Sequence, residues 1–354
     1  MENVKDVVCS FDNLHKAMYK CKKGVTWKDS VSRYVNNGFV SVLKLQKSLE
    51  QETYKIDEYY NFTIHEPKKR EIISTKFKDR VFQRSLCDNY LYEEITKNFI
   101  YDNGACQNNR GTGFSRNRLK TKMQKYYRKH GNEGYVLKVD FKNYFGSTPH
   151  FTAKNALKKV VKDEWALEHT YGIIDTYDNG DAIGLGLGSQ ITQLVQLLVL
   201  SDLDHYIKEK LKIKYYLRYM DDLILIHPDK EYLYKCLDEI RQTSFNLGLT
   251  LNSKKTQIFK LSQGINFLGF KYNLSITGSV FCLLLKENIK KRKKKLRKYR
   301  SLVAEGKMTQ EKANESYVSW KAHANNGNSY NTIKKMDKYY NKTWENQNVQ
   351  KTDS

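Results

Sequence analysis

Apolar and polar residues follow two periodicities along the chain, and the switches between them mark its elements. Over residues 1–60 apolar positions recur at helical spacing, with Leu43, Leu45 and Leu49 among Lys and Gln, which predicts helices. The run from Phe62 to Arg80, FTIHEPKKREIISTKFKDR, sets β-branched stretches on either side of a Pro-Lys-Lys turn and predicts a hairpin with basic residues at its tip and base. Helix returns over Leu86 to Phe99. The Gly-, Asn- and Arg-rich run from Asp102 to Arg118 predicts a loop able to lie against phosphates, leading into a helix that ends near His130. YVLKVD, residues 135–140, predicts a short strand, followed by helical segments up to a turn at 177–181. A glycine-spaced stretch, GLGLGSQ at 184–190, opens an apolar helix from Ile191 to about His205. Tyr215 to Tyr219 and Leu223 to His227 are two β-rich runs separated by Met220-Asp221-Asp222, a hairpin with acids at its tip. A helix from about Lys230 to Leu247 precedes short strands near Thr250, Gln257 and Phe267, and from Lys286 the chain reads as helix.

Composition then narrows the function. The length of 354 residues allows about two to three domains. The 62 Lys and Arg against 39 Asp and Glu give a formal net charge of +23, which points to a polyanionic partner, nucleic acid first. With 26 Tyr and only 3 Pro the chain is a folded basic protein and not a disordered tail. Cys9, Cys21, Cys87, Cys106, Cys236 and Cys282 form no C-x-x-C pair, which argues against a zinc knuckle or a disulfide framework and fits free thiols in a reducing cytosol. Charges run through the first twenty residues and no later run approaches about 18 apolar residues, so a cytoplasmic protein with no membrane partner is expected. His65, His150, His205 and His323 lack metal-ligand spacing.

The sharpest chemical feature is Asp140, at the end of a strand, with Asp221 and Asp222 at a hairpin tip. Three carboxylates suffice to hold two divalent ions, one activating an attacking oxygen and the other stabilising a leaving one, and Mg²⁺ takes its protein ligands mainly from carboxylates. A neighbouring strand would bring Asp140 beside the pair. Asp-Asp alone is equally a turn former. Apolar strands on both sides and a second acid at a strand end favour the functional reading.

Tyr219-Met220-Asp221-Asp222 resembles the Y-x-D-D box of reverse transcriptases, and Lys138-Val-Asp140-Phe-Lys-Asn-Tyr-Phe145 resembles their first palm motif. Further blocks follow in that family's order. Lys68-Lys-Arg70 with Asp79-Arg80 resembles the fingers motif, Gly184 to Gln193 the template-positioning motif, Leu251-Asn-Ser-Lys-Lys255-Thr the late palm lysine, and Phe267-Leu-Gly-Phe270 the primer grip. The departure is Leu187-Gly-Ser-Gln-Ile-Thr192-Gln193, where many relatives carry Gln before the glycine and Ser-Pro after it. This stretch is similar to the aliphatic-Gly-x-x-x-Ser-Gln pattern of diversity-generating retroelement enzymes, a bacterial, group II intron-like class, with related forms in antiphage-defence reverse transcriptases. Losing an amide contact there implies looser base selection.

The resemblance implies an α+β right-hand polymerase: fingers over residues 1–130 with an N-terminal helical extension, a palm over 131–280 with a small antiparallel sheet packed on helices and interleaved fingers segments, and a basic helical thumb over 281–354. It implies RNA-directed DNA synthesis with two Mg²⁺, or Mn²⁺ in their place, held by Asp140, Asp221, Asp222 and the Phe141 carbonyl. Lys255 would protonate the leaving pyrophosphate; Lys69, Arg70 and Arg80 would meet the triphosphate of a dNTP. Phe145 would be the steric gate against a ribose 2′-hydroxyl, although a buried aromatic there is also ordinary core. Leu187, Gly188 and Gln193 would position the nucleotide, and Phe267, Leu268 and Gly269 the primer.

Residues 286–300 hold seven Lys and three Arg against one Glu, and on a helix Lys290, Arg292, Lys294 and Arg297 would track a phosphate backbone. A bare polymerase is expected, without RNase H or a Cys/His endonuclease. Its template RNA and primer or cDNA would then be selected through a cognate structured noncoding RNA, an accessory protein or self-assembly. Template-independent DNA synthesis in abortive-infection defence would keep every one of these motifs. A noncatalytic, maturase-like RNA-binding protein would be expected to have lost its acids or blocked its nucleotide pocket.

Overall fold

The computed structural model describes residues 3–57, 59–64, 70–177, 180–186 and 188–345. The chain divides into two compact units that interleave in sequence: Met1–Gly111 with Lys138–Ile224 and Tyr234–Gln257, and Thr112–Leu137 with Leu225–Leu233 and Ile258–Ser354.

The first unit opens with helices Val4–Cys9, Phe11–Cys21, Asp29–Asn36 and Gly38–Glu50. Ser10 caps the second of these by accepting from the Asn13 N–H, and the helix buries Leu14, Ala17 and Met18. β1 (Tyr60–Ile64) and β2 (Arg70–Ser74) pair antiparallel, Tyr60 opposite Ser74 and Ile64 opposite Arg70; the hairpin tip falls outside the described residues. Arg80, expected at the hairpin base, stands instead in the first turn of the helix Phe77–Leu86, which continues through a π-helical turn Cys87–Leu91 into Tyr92–Thr96. Helix thus starts earlier than the sequence suggested, because Phe77, Val81 and Phe82 supply a buried apolar face before Leu86.

A four-stranded sheet has the order β4-β5-β3-β6, with β3 at Tyr135–Val139, β4 at Tyr215–Tyr219, β5 at Asp222–His227 and β6 at Gln257–Lys260. The glycine-spaced stretch leads into the apolar helix Gln190–Val199, capped by Ser189; the single helix expected to reach His205 breaks at Leu200 and restarts as Ser201–His205. Near Thr250 there is no strand, only an isolated bridge between Phe141 and Leu251.

In the second unit β7 (Ile265–Phe267), β8 (Phe270–Leu274) and β9 (Val280–Leu284) form an antiparallel sheet. Helices Thr112–His130, Lys286–Ala304, Gln310–Ala324 and Tyr330–Glu345 complete it. Leu296, Tyr317 and Met336 make a buried cluster with Ile289, Trp320, Tyr339 and Tyr340 packed on it. Each large apolar side chain buried this way contributes about 1.5–3 kcal/mol, and Tyr317 stacks on Tyr340 with centroids 4.2 Å apart. Among the described residues no helix is long and apolar enough to cross a membrane.

Candidate active site

The carboxylates sit where the backbone reverses between β4 and β5. Met220 takes a positive φ of 54°, which lets Met220 and Asp221 close the turn and makes Asp222 the first residue of β5. A non-glycine residue held there signals a constrained turn. The constraint comes from Arg218, which is fully buried in β4. Its Nη1 donates to the Met220 carbonyl at 3.1 Å, while Nε and Nη2 grip both oxygens of buried Asp204 at 2.7–2.9 Å. The Tyr216 hydroxyl donates to the same carboxylate at 2.5 Å. The Arg218 backbone also binds the Asp102–Gly104 loop on both sides, accepting from Gly104 N–H and donating to the Asp102 carbonyl at 3.1 Å each. Sequence reasoning missed this group, although an arginine inside the apolar strand YYLRY was a visible signal.

Asp140 follows the last residue of β3 and is buried. Lys255 Nζ donates to both of its oxygens at 2.9 Å, and Asn252 Nδ2 adds a bond to Oδ1 at 3.1 Å. The Asn252 N–H binds the Asp140 carbonyl at 2.8 Å, which fixes the segment carrying Lys255 against the strand end. Lys138, two residues before Asp140, reaches Asp222 Oδ1 at 3.2 Å. The hydrogen bonds it donates to Asp140 hold the Lys255 ammonium above its ordinary range, and the charges of Asp140, Asp221 and Asp222 add to this. Asp221 has its carboxyl pushed up, first by burial and then by the charges of Asp222 and Asp140.

Among the described residues no three His, Cys, Asp or Glu side chains already form a metal cage. The donor set nonetheless fits hard divalent cations: oxygen ligands only, and in Asp221 a half-buried carboxyl pushed up by desolvation and by its neighbours' negative charge, which a cation would relieve.

The first unit also holds several other expected residues. Phe145 is half-buried, edge-on to Tyr144 at 6.1 Å, and its carbonyl accepts from Leu185 N–H at 2.7 Å, so the gate position and the glycine stretch are tied together. Buried Tyr144 exchanges hydrogen bonds with Gln196, its hydroxyl to the Gln196 carbonyl at 2.6 Å and Gln196 Nε2 to the Tyr144 carbonyl at 3.0 Å. Gly188 has φ 131°, and a Cβ there would lie 3.3 Å from the Ile73 carbonyl of β2, so hairpin and glycine stretch approach closely. Gln193 Oε1 accepts from the Cys106 thiol at 3.4 Å, and that sulfur lies 3.8 Å from Met220 Sδ, which places Gln193 next to the carboxylate turn. Arg80 is half-buried with its guanidinium 5.9 Å from the Phe77 ring. Arg70 begins β2, and Lys69 and Leu187 lie outside the described residues.

The remaining expected residues belong to the second unit. Leu268 (φ 46°) and Gly269 (φ 88°) form the two-residue turn between β7 and β8, after buried Phe267. The Gly269 carbonyl accepts from Leu285 N–H at 3.3 Å and from Asn288 Nδ2 at 3.2 Å, fastening the turn to the start of the basic helix. On that helix Lys290, Lys294 and Arg297 are exposed along one stripe. Arg292, expected beside them, is turned inward: it is buried, 5.7 Å from the Tyr317 ring, donates to Ser316 Oγ at 3.1 Å, and has its pKa lowered by burial. It shares the face of Leu296, one turn on.

Residues 67–272, more than half of the chain, match the family described as reverse transcriptase (RNA-dependent DNA polymerase), and the chain belongs to that family. The family is one of nucleotidyltransferases that use divalent metal ions, and the expected α+β right-hand polymerase class stands, with small antiparallel sheets. Solved structures that match include apo telomerase from Candida tropicalis truncated from its C-terminal domain, at 14% identity over 63% of this chain and 54% of that one, TM-score 0.48. The apo telomerase of Candida tropicalis matches at 13% identity over 62% and 47%, TM-score 0.47. Telomerase from Candida albicans in complex with a TWJ fragment of telomeric RNA matches at 12% over 72% and 52%, TM-score 0.48. The chain spans about half the length of these structures. No curated protein matches it.

Proposed function

We propose that the protein copies an RNA template into DNA, with a primer 3′-hydroxyl attacking the α-phosphate of a dNTP and pyrophosphate leaving. What supports the reading is that Lys255 Nζ donates to the Asp140 carboxylate at 2.9 Å while Lys138, two residues before Asp140, reaches Asp222 at 3.2 Å, so the end of β3 lies beside the turn that carries Asp221 and Asp222. Asp140, Asp221, Asp222 and the Phe141 carbonyl would hold two Mg²⁺, or Mn²⁺. Bound there, the ions would lower the pKa of the primer hydroxyl and stabilise charge on the leaving oxygen. Lys255 exchanges its grip on Asp140 for the departing pyrophosphate and gives it a proton. Lys69, Arg70 and Arg80 bind the triphosphate, Phe145 excludes the 2′-hydroxyl, and Leu187, Gly188 and Gln193 set the templated pair. Phe267, Leu268 and Gly269 grip the primer, while the Lys290, Lys294 and Arg297 stripe follows a phosphate backbone. Residues 1–130, 131–280 and 281–354 serve as fingers, palm and thumb.

The Leu187 to Gln193 stretch supports a place in a diversity-generating retroelement or an antiphage defence system, acting in the cytoplasm with a cognate noncoding RNA or an accessory protein. The test is extension of a DNA primer on a defined RNA template with Mg²⁺, run with dNTPs, with NTPs and without template. Template-length product from dNTPs alone is expected. Product without template would replace this reading with template-independent synthesis.

A further inference from the structure

Glycines at 184, 186 and 188 give the stretch before the helix Gln190–Val199 more conformational freedom than other residues would, so its path is set by the groups it lies against. At Gly184 that group is His150, whose Nε2 donates to the glycine carbonyl at 2.9 Å, and at Gly188 it is the Ile73 carbonyl of β2. At Gly186 it is the ring of Tyr177, a buried residue two positions beyond the helix Glu164–Asp175. Of the three glycines only Gly186 would place an added Cβ inside its neighbour, overlapping that ring. Its φ is not positive, so glycine is demanded there by the space the ring takes and not by the backbone conformation. Tyr59 stacks on Tyr177 with centroids 5.0 Å apart and planes at 19°. The Tyr59 hydroxyl donates to Thr176 Oγ1, whose own proton goes to the Ile173 carbonyl at 2.6 Å, which pins the stack to the helix end. The Gly186 carbonyl in turn accepts from the Thr192 hydroxyl at 2.7 Å.

We propose that Tyr177 is a positioning residue for nucleotide selection: its ring, stacked on Tyr59, fixes Gly186 and through it the backbone of Gly188 and Gln193. The inference rests on the polymerase reading, in which those two residues set the templated pair. Burial pushes the Tyr177 hydroxyl far up and the neighbouring Tyr59 adds to it, so the group stays neutral and the hold on Gly186 is one of shape. A flexible stretch wedged against a rigid ring keeps one path, and a pair that does not fit that path is rejected. With the ring gone the glycines regain their freedom, and a mismatched pair costs less to accommodate.

The test uses three variants of the full chain, each first shown to melt cooperatively. Tyr177→Leu removes the ring, Tyr177→Phe keeps it without the hydroxyl, and Gly186→Ala intrudes on it from the other partner. Amide hydrogen exchange over residues 184–190, read by mass spectrometry, should quicken about tenfold in Tyr177→Leu and hold its wild-type rate in Tyr177→Phe. In single-nucleotide extension on an RNA template, the ratio of kcat/KM for the matched dNTP to that for a mismatched one should fall about tenfold in Tyr177→Leu and in Gly186→Ala. Tyr177→Phe should keep the wild-type ratio. A residue that merely fills the core would lower the Tm of Tyr177→Leu and leave exchange over 184–190 and the ratio unchanged, and that result would overturn the proposal. An equal loss of discrimination in Tyr177→Phe would overturn it too. A wild type that makes no DNA would instead sink the polymerase reading, while the exchange comparison would still decide whether Tyr177 holds the stretch.

Discussion

The Arg218 guanidinium holds the Met220 carbonyl at 3.1 Å, so the turn presenting Asp221 is fixed from inside the preceding strand. The same guanidinium is neutralised by Asp204, with both side chains fully buried. Removing one partner of such a pair leaves an uncompensated buried charge, at a cost of about 3–5 kcal/mol. Arg218→Met alone is therefore expected to lower the midpoint of urea unfolding sharply. The pair Arg218→Met/Asp204→Leu should recover most of the lost stability and still polymerise poorly, because nothing then holds the Met220 carbonyl. A double variant with wild-type kcat would reduce Arg218 to a core residue.

Asp221 illustrates how a site can weaken its own fold. Its carboxyl is pushed up in the folded chain by burial and by Asp222, so between the unfolded value of 3.8 and the raised folded value the native state holds more protons than the unfolded state. Stability consequently falls as pH rises through that window and stays reduced above it. Asp221→Asn should melt higher than the wild type at pH 7.5, with the gain vanishing at acid pH. Its polymerase activity should fall by more than about a hundredfold, beyond the range typical of losing an outer-shell metal partner.

Under the proposed function Lys255 has two separable tasks, pairing with Asp140, as seen at 2.9 Å, and giving up a proton. Lys255→Ala removes both, and kcat is expected to drop by about 10²–10⁴. Lys255→Arg keeps the charge near Asp140 but is a far weaker acid, so in single-turnover kinetics it should restore nucleotide binding without restoring the chemical step. Full recovery by arginine would leave only the pairing role.

His205 gives a pH test away from the site. Its imidazole is raised above 6.5, first by the hydrogen bond with Glu209 and then by the Asn98 carbonyl. The contribution is fully present below the unfolded pKa and is lost as pH climbs through the raised folded value. His205→Gln should therefore lower Tm at pH 6 and have little effect at pH 9. The size is small, because the ring is partly exposed and its partner Glu209 more so.

Much of this architecture was legible because it follows local rules. Two β-rich runs around Met220-Asp221-Asp222 could only be a hairpin with acids at its turn, and Ser189 before an apolar run marked a helix start. What escaped depends on which way a side chain turns and on contacts distant in sequence. The basic run after Lys286 gave charge but no facing, and only the position of Leu296 one turn beyond Arg292 hinted that this arginine points inward. The Asp204 partner of Arg218 was hidden in a separate helix. The interleaving of two compact units, each gathered from three stretches of chain, leaves no mark in linear order.

In the proposed function Asp140, Asp221 and Asp222 together run templated DNA synthesis. Its most direct test is Mg²⁺-dependent extension of one primer on one RNA template, comparing the wild type with Asp221→Asn/Asp222→Asn after both are shown to melt cooperatively. Template-length DNA is expected from the wild type and none from the variant. Undiminished extension by the folded variant would contradict it.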